Sequence, residues 1–280
     1  MRIISILSLF LFFASSANAQ SALKMYFKGK QAYEADSLHE SIKYYTEALT
    51  GNMEKPYMGY IARGVAYMRV AYFKKALADF NAAHELQIER SEPLLCCAQA
   101  NLALRNYDEA VRNCTQALRI NNLEDRAYQL RAQAYLENGN TIDAIEDFDR
   151  TLKLHPTAAG FNDRGFAKFL LGQIESAIAD FDQALKLDKE FLPAYRNRAK
   201  ARLNLGDQIA ALEDYNQALE LAHDADTYTA RGLLLHRLGE YTKAIADFDA
   251  ALRINPYHSQ ARQAREVAKT ARSNRDSEKS

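Results

Sequence analysis

The sequence predicts an all-α solenoid of seven tandem helix-turn-helix hairpins closed by a C-terminal capping helix. Three observations predict it. Small residues recur with a period of 33 to 35 residues, apolar and mostly aromatic residues recur between them at helical spacing, and all five prolines stand at the edges of the repeating unit.

The first nineteen residues differ in kind from the rest. Met1 and Arg2 precede an apolar stretch from Ile3 to Phe13, followed by the small-x-small triplet Ala17, Asn18, Ala19. A basic start, a short apolar run and an Ala-x-Ala site read as a secretory signal peptide over 1–19, cleaved before Gln20. The run is too short to span a bilayer. The expectation is therefore an exported protein, periplasmic or secreted, with no membrane insertion after cleavage.

Seven repeats are expected over 20–256, at about 22–55, 57–90, 91–124, 125–157, 158–191, 192–224 and 225–256. One small series is Ser41, Ala76, Ala110, Ala144, Ala177, Ala211 and Ala244. A second, twelve residues earlier in each unit, is Gly29, Gly64, Ala98, Ala132, Gly165, Ala199 and Gly232. Four residues after the first series stand Tyr45, Phe80, Cys114, Phe148, Phe181, Tyr215 and Phe248, and each unit opens near Met25, Tyr60, Leu94, Tyr128, Phe161, Tyr195 or Tyr228. Two such stripes per unit describe two antiparallel helices. Gly139, Gly172, Gly206 and Gly239 supply the positive φ that ends the first helix in four of them. Pro56, Pro93 and Pro193 open first helices, while Pro156 and Pro256 follow second ones, so proline never interrupts a helix. Residues 257–272 are expected to form the capping helix, with Ala261, Ala264, Val267, Ala268 and Ala271 inward, and the charged stretch 273–280 is expected to be disordered.

This pattern resembles the tetratricopeptide repeat family, from Ala22 to Pro256. The resemblance implies a right-handed solenoid in which small residues let helices approach and rings fill the grooves. It also implies a protein or peptide partner rather than a substrate. The first unit departs from the pattern at Gly51, and the third has Cys114 in the aromatic slot.

Thirty-six basic residues balance thirty-six acidic ones, so no field of one sign gathers nucleic acid. No catalytic or cofactor motif occurs, and neither an enzymatic activity nor a cofactor or metal is expected. Repeated polar residues read as fold. Arg63, Arg131, Arg164, Arg198 and Arg231 occupy one slot, and each has an Asp sixteen residues on: Asp79, Asp147, Asp180, Asp214 and Asp247. Repeats lacking the Arg, with Lys28 and Cys97, also lack the Asp, so the pairs are expected to be ion pairs across each hairpin. His223 with Asp224 and Asp226 is the densest acid-imidazole cluster, and it reads as a solvated turn. Cys97 and Cys114 fall on facing helices as either a disulfide or buried free thiols. Asn113-Cys114-Thr115 forms a glycosylation sequon in mid-helix.

The resemblance further implies that first helices line a concave face. Its slots hold Tyr26, Lys30, Met58, Ile61, Val65, Leu95 and Gln99, then Gln129, Gln133, Asn162, Phe166, Arg196 and Lys200. Such a face suits a peptide or helical segment of a partner. The Lys and Asn set with which some relatives clamp a C-terminal carboxylate is absent, since Tyr26, Lys30, Ala62, Glu92 and Cys96 occupy its first frame. The alternative reading is a structural subunit of an envelope or secreted assembly, using the convex face or the solenoid ends. Oligomeric state is not legible in these residues.

Overall fold

A computed structural model describes residues 3–278, with side chains from 19 to 277, and among these residues the elements are helices and turns. The helices pair as seven hairpins: α1 (Ile3–Glu34) with α2 (Leu38–Thr50), α3 (Pro56–Arg69) with α4 (Phe73–Leu86), α5 (Glu92–Ala103) with α6 (Tyr107–Ile120), α7 (Asp125–Glu137) with α8 (Thr141–Leu154), α9 (Ala158–Leu170) with α10 (Ile174–Leu187), α11 (Leu192–Asn204) with α12 (Gln208–Leu221), and α13 (Ala225–Arg237) with α14 (Tyr241–Ile254). A last helix, α15 (Ser259–Glu278), packs on α14 and α13. Apart from Ala19, the side chains of the expected signal peptide lie outside the described residues, as do residues 279–280. Among the described residues no helix is long and apolar enough to cross a membrane.

The hairpins fall into two compact units, one ending at Leu154 and one beginning at His155. In the first unit the first helices meet one another, α1 with α3, α3 with α5 and α5 with α7, so they form one face; in the second unit α9 meets α11 and α13 meets α15.

Every hairpin turns the same way. Residue 36, 71, 105, 139, 172, 206 or 239 has positive φ, and the next residue donates its N–H back into the first helix, as Asn140 does to Tyr135 O at 2.8 Å and Gln173 to Lys168 O at 2.9 Å. These are the bonds of a Schellman stop. Glycine fills the slot in four hairpins, but Asp36, Ala71 and Arg105 adopt φ of 59°, 58° and 60° in the first three. The turn is a property of the hairpin, and glycine marks only its unstrained version.

Small residues meet rings inside each hairpin. A Cβ on Gly165 would stand 2.8 Å from Phe181 Cε1, and one on Gly232 2.7 Å from Phe248 Cε1. Phe80, Phe181 and Phe248 are accordingly buried completely.

Two expectations about the C-terminus are corrected. The capping helix begins at Ser259 and continues to Glu278, through most of the stretch expected to be disordered. Arg275 explains this: its guanidinium lies 4.8 Å from the Tyr241 ring centre, and Nη1 donates to Gly239 O at 2.6 Å. Ala261 and Ala268 face inward as expected, but Val267 is 53% exposed, because it falls one residue off the stripe that repeats every seven.

Candidate functional site

The Arg and Asp slots come together in all five hairpins that carry them. Each Arg, on a first helix, bonds the Asp of its own second helix. Arg63 donates from Nε to Asp79 Oδ2 at 2.8 Å and from Nη2 to Oδ1 at 2.7 Å; Arg131 does the same to Asp147 at 2.7 and 2.8 Å, and Arg231 to Asp247 at 2.8 and 2.7 Å. Asp180 is held by Arg164 and also by Lys168 Nζ at 2.7 Å, and Asp214 by Arg198 and by Arg202 Nη1 at 3.0 Å. The Asp bonds raise the Arg63, Arg131 and Arg231 guanidinium pKa values, against the opposing effect of burial.

The sequence did not reveal a second function of this slot. The remaining guanidinium nitrogen, Nη1, reaches back to the second helix of the preceding hairpin. Arg63 meets Thr46 at 3.1 Å, Arg131 meets Thr115 at 3.1 Å, Arg198 meets Asp182 at 2.5 Å, and Arg231 meets Asn216 at 2.8 Å. Arg265 on α15 continues the series, donating to Asp249 Oδ1 at 3.0 Å. In the triplets Asp180-Phe181-Asp182 and Asp247-Phe248-Asp249, the first acid therefore serves its own hairpin and the second serves the next element. The spacing of 16 from Asp182 to Arg198 and from Asp249 to Arg265 carried this signal.

The third hairpin runs the series without charge. All three cysteines are free and buried. Cys97, in the Arg slot, donates its thiol to Asn81 Oδ1 at 3.3 Å, and Asn101 Nδ2 donates to Asn113 Oδ1 at 3.0 Å. Burial pushes the Cys96 thiol up to about 11 and those of Cys97 and Cys114 up to about 12, so they stay protonated at neutral pH.

The His223 cluster resolves into ordinary fold contacts. Asp224 caps α13 by accepting from Thr227 N at 2.9 Å, His223 Nδ1 bonds Tyr228 OH at 2.9 Å, and Asp226 bonds His258 Nε2 at 3.0 Å. Among the described residues no group of His, Cys, Asp and Glu has metal-binding geometry.

The candidate partner residues fall in different surroundings. Tyr26, Lys30, Met58 and Ile61 line two adjoining hollows of about 640 and 540 Å3 in the first unit, between the C-terminal half of α1 and the N-terminal half of α3. Gln99 and Gln133 line a third hollow of about 530 Å3 floored by Met68, Leu102 and Leu130. Gln129 and Lys200 are exposed, while Arg196 is half-buried and lies 3.7 Å from Asp224. Val65 and Phe166 are half-buried, and Val65 packs against the cluster around Phe80.

Two members are corrected, Leu95 and Asn162. Leu95 is only 3% exposed, packed with Leu94 and with Ala127 and Leu130 of α7, the helix that lies against α5. Asn162 is 7% exposed, accepting from Asn197 Nδ2 at 2.9 Å and donating to Asp163 Oδ1 at 3.2 Å. Leu23, Phe27, Lys55 and Arg90 also line the first two hollows. Phe27, Lys55 and Arg90 lie outside the slots that the repeat pattern assigns to the concave face, and Leu23 holds the slot of Met58 one repeat earlier, where the sequence reading passed over it.

Profiles described as tetratricopeptide repeat match residues 98–159, 159–191, 192–224 and 225–258, together more than half of the chain. The chain belongs to the tetratricopeptide repeat family. It is 30% identical over 185 residues to human tetratricopeptide repeat protein 6, covering 62% of this chain and 35% of that protein. It is 34% identical over 107 residues to Hsc70-interacting protein 1 of Drosophila melanogaster, covering 38% of this chain and 28% of that one. The chain thus spans about a third or less of the length of these curated relatives. A tetratricopeptide repeat protein from Parabacteroides merdae has the same fold, with a TM-score of 0.72 at 17% identity over 89% of this chain and 99% of that one. Tetratricopeptide repeats mediate protein-protein interaction.

Proposed function

We propose that the protein is an exported scaffold that binds a peptide or helical segment of another protein along the face formed by its first helices. One observation carries this reading. Leu23, Phe27 and Met58, 48%, 53% and 43% exposed, converge on one hollow of the first-helix face, and a soluble fold leaves such a group uncovered where something docks. The likeness to a protein named for its Hsc70 interaction supports a protein as the partner class and does not extend to that chaperone. Export rests on the basic, apolar and Ala-x-Ala order of residues 1–19.

The assembly reading has its own support in Ile142 and Ile209, 66% and 74% exposed on second helices. A photo-crosslinking residue placed at Met58 or at Ile209, in cells of the native host, separates the two. Groove binding gives a crosslinked partner from Met58 and none from Ile209. A crosslink from Ile209 alone supports the assembly reading and sinks the groove. The mature protein recovered from the same cells is expected to begin at Gln20, and an intact N-terminus would remove the export claim.

A further inference from the structure

Resting on that reading, we propose that the twin hollow of the first unit takes a continuous segment whose internal acidic residue is flanked by large apolar side chains. The two hollows share Tyr26, Lys55 and Met58. Lys55 thus stands on the ridge between them, and Arg90 borders the second hollow. Among the described residues neither cation is in an ion pair; Arg90 lies over the Tyr57 ring at 5.4 Å. Of the two acids nearby, Glu92 already accepts from Tyr57 OH at 2.8 Å and lies in the second hollow, whereas Glu54 lines the first. The second hollow therefore sets an apolar floor, Met58 and Ile61, beside two cations and one acid, an excess of one positive charge. An apolar contact beside an excess of positive charge favours a carboxylate with apolar neighbours.

The continuity of the space decides which carboxylate. Beyond the Lys55 ridge the surface opens into the larger hollow against Leu23, Phe27 and Met53, so a bound chain continues past the cations instead of ending at them. An acidic side chain within the segment meets Lys55 and Arg90, and the apolar residues on either side enter the two hollows.

Random linear peptides displayed on phage by their C-termini, so that no free carboxylate ends them, test this against the full mature chain. The expected enrichment is of sequences with Asp or Glu between large apolar residues. An amidated synthetic copy of an enriched peptide, followed by fluorescence anisotropy, should lose about tenfold or more in affinity when its acid becomes the amide, and as much in the Lys55→Glu, Arg90→Glu variant. It should lose binding in the Phe27→Ser, Met58→Ser variant, and rising salt should weaken it. Should charge reversal lower the melting temperature, Lys55→Gln with Arg90→Gln supplies the same comparison without repulsion. Peptides that tolerate the amide and both double variants overturn this proposal while leaving partner binding elsewhere on the face intact. Failure to enrich anything overturns both.

Discussion

At the scale of single residues, the arginine slot is the clearest device. One planar guanidinium fixes its own hairpin through Nε and Nη2 and the preceding hairpin through Nη1, a geometry that lysine cannot reproduce. The acids are 2–8% exposed at their side chains, so removing the arginine strands a buried carboxylate. Among the described residues Arg131 is the cation that holds Asp147, whereas Asp180 keeps Lys168 when Arg164 is lost. Arg131→Ala should therefore cost about 3 kcal/mol in urea unfolding, and Arg164→Ala about half that. Equal costs would show that Lys168 does not share the charge. The five pairs were legible from the all-or-none covariation of Arg with Asp sixteen residues on. The backward bond left a signal only where its acceptor is an Asp, at Asp182 and Asp249, because elsewhere the acceptor changes to Thr or Asn while the position stays.

At the scale of the element, the hairpin turn shows how much a repeat tolerates. Ala71 and Arg105 hold a left-handed conformation that costs an L-residue about 1 kcal/mol or more relative to glycine. Packing on either side over-determines the turn, as the Tyr72 N to Tyr67 O bond of 2.9 Å indicates. Ala71→Gly should then stabilise the protein by about 1 kcal/mol, read as a higher denaturation midpoint with an unchanged slope. A loss of stability would mean that unfolded-chain entropy outweighs relief of the strained φ. The helices themselves were legible from periodicity, and the turns only where glycine announced them. The end of α15 was hidden for the same kind of reason. Residues 273–278 carry no apolar signal, and their order comes from one arginine folded back onto Tyr241 and Gly239.

At the scale of the molecule, each hairpin leaves an apolar face that only a neighbour can cover. Helix α15 does this for the last hairpin, with Ala261 and Ala268 at 0% exposure against the cluster of Ala244, Phe248 and Ala251. Ala268→Asp should lower stability by about 2 kcal/mol or more, since the carboxylate gains no partner there. A thermal melt unchanged from the parent would show that α15 is dispensable.

The amino-acid sequence alone determined the repeat, the helical hairpin, the family resemblance and the identity of the charged pairs, because each is a local spacing rule repeated often enough to stand above chance. Which first-helix residues stay open was decided only in three dimensions. Leu95 and Ile61 hold the same slot, yet α7 lays Ala127 and Leu130 against Leu95 while Ile61 borders a hollow, so one side chain is core and the other stays half-buried. Exposure depends on the distance between neighbouring helices, and that distance is set by side chains from three hairpins at once.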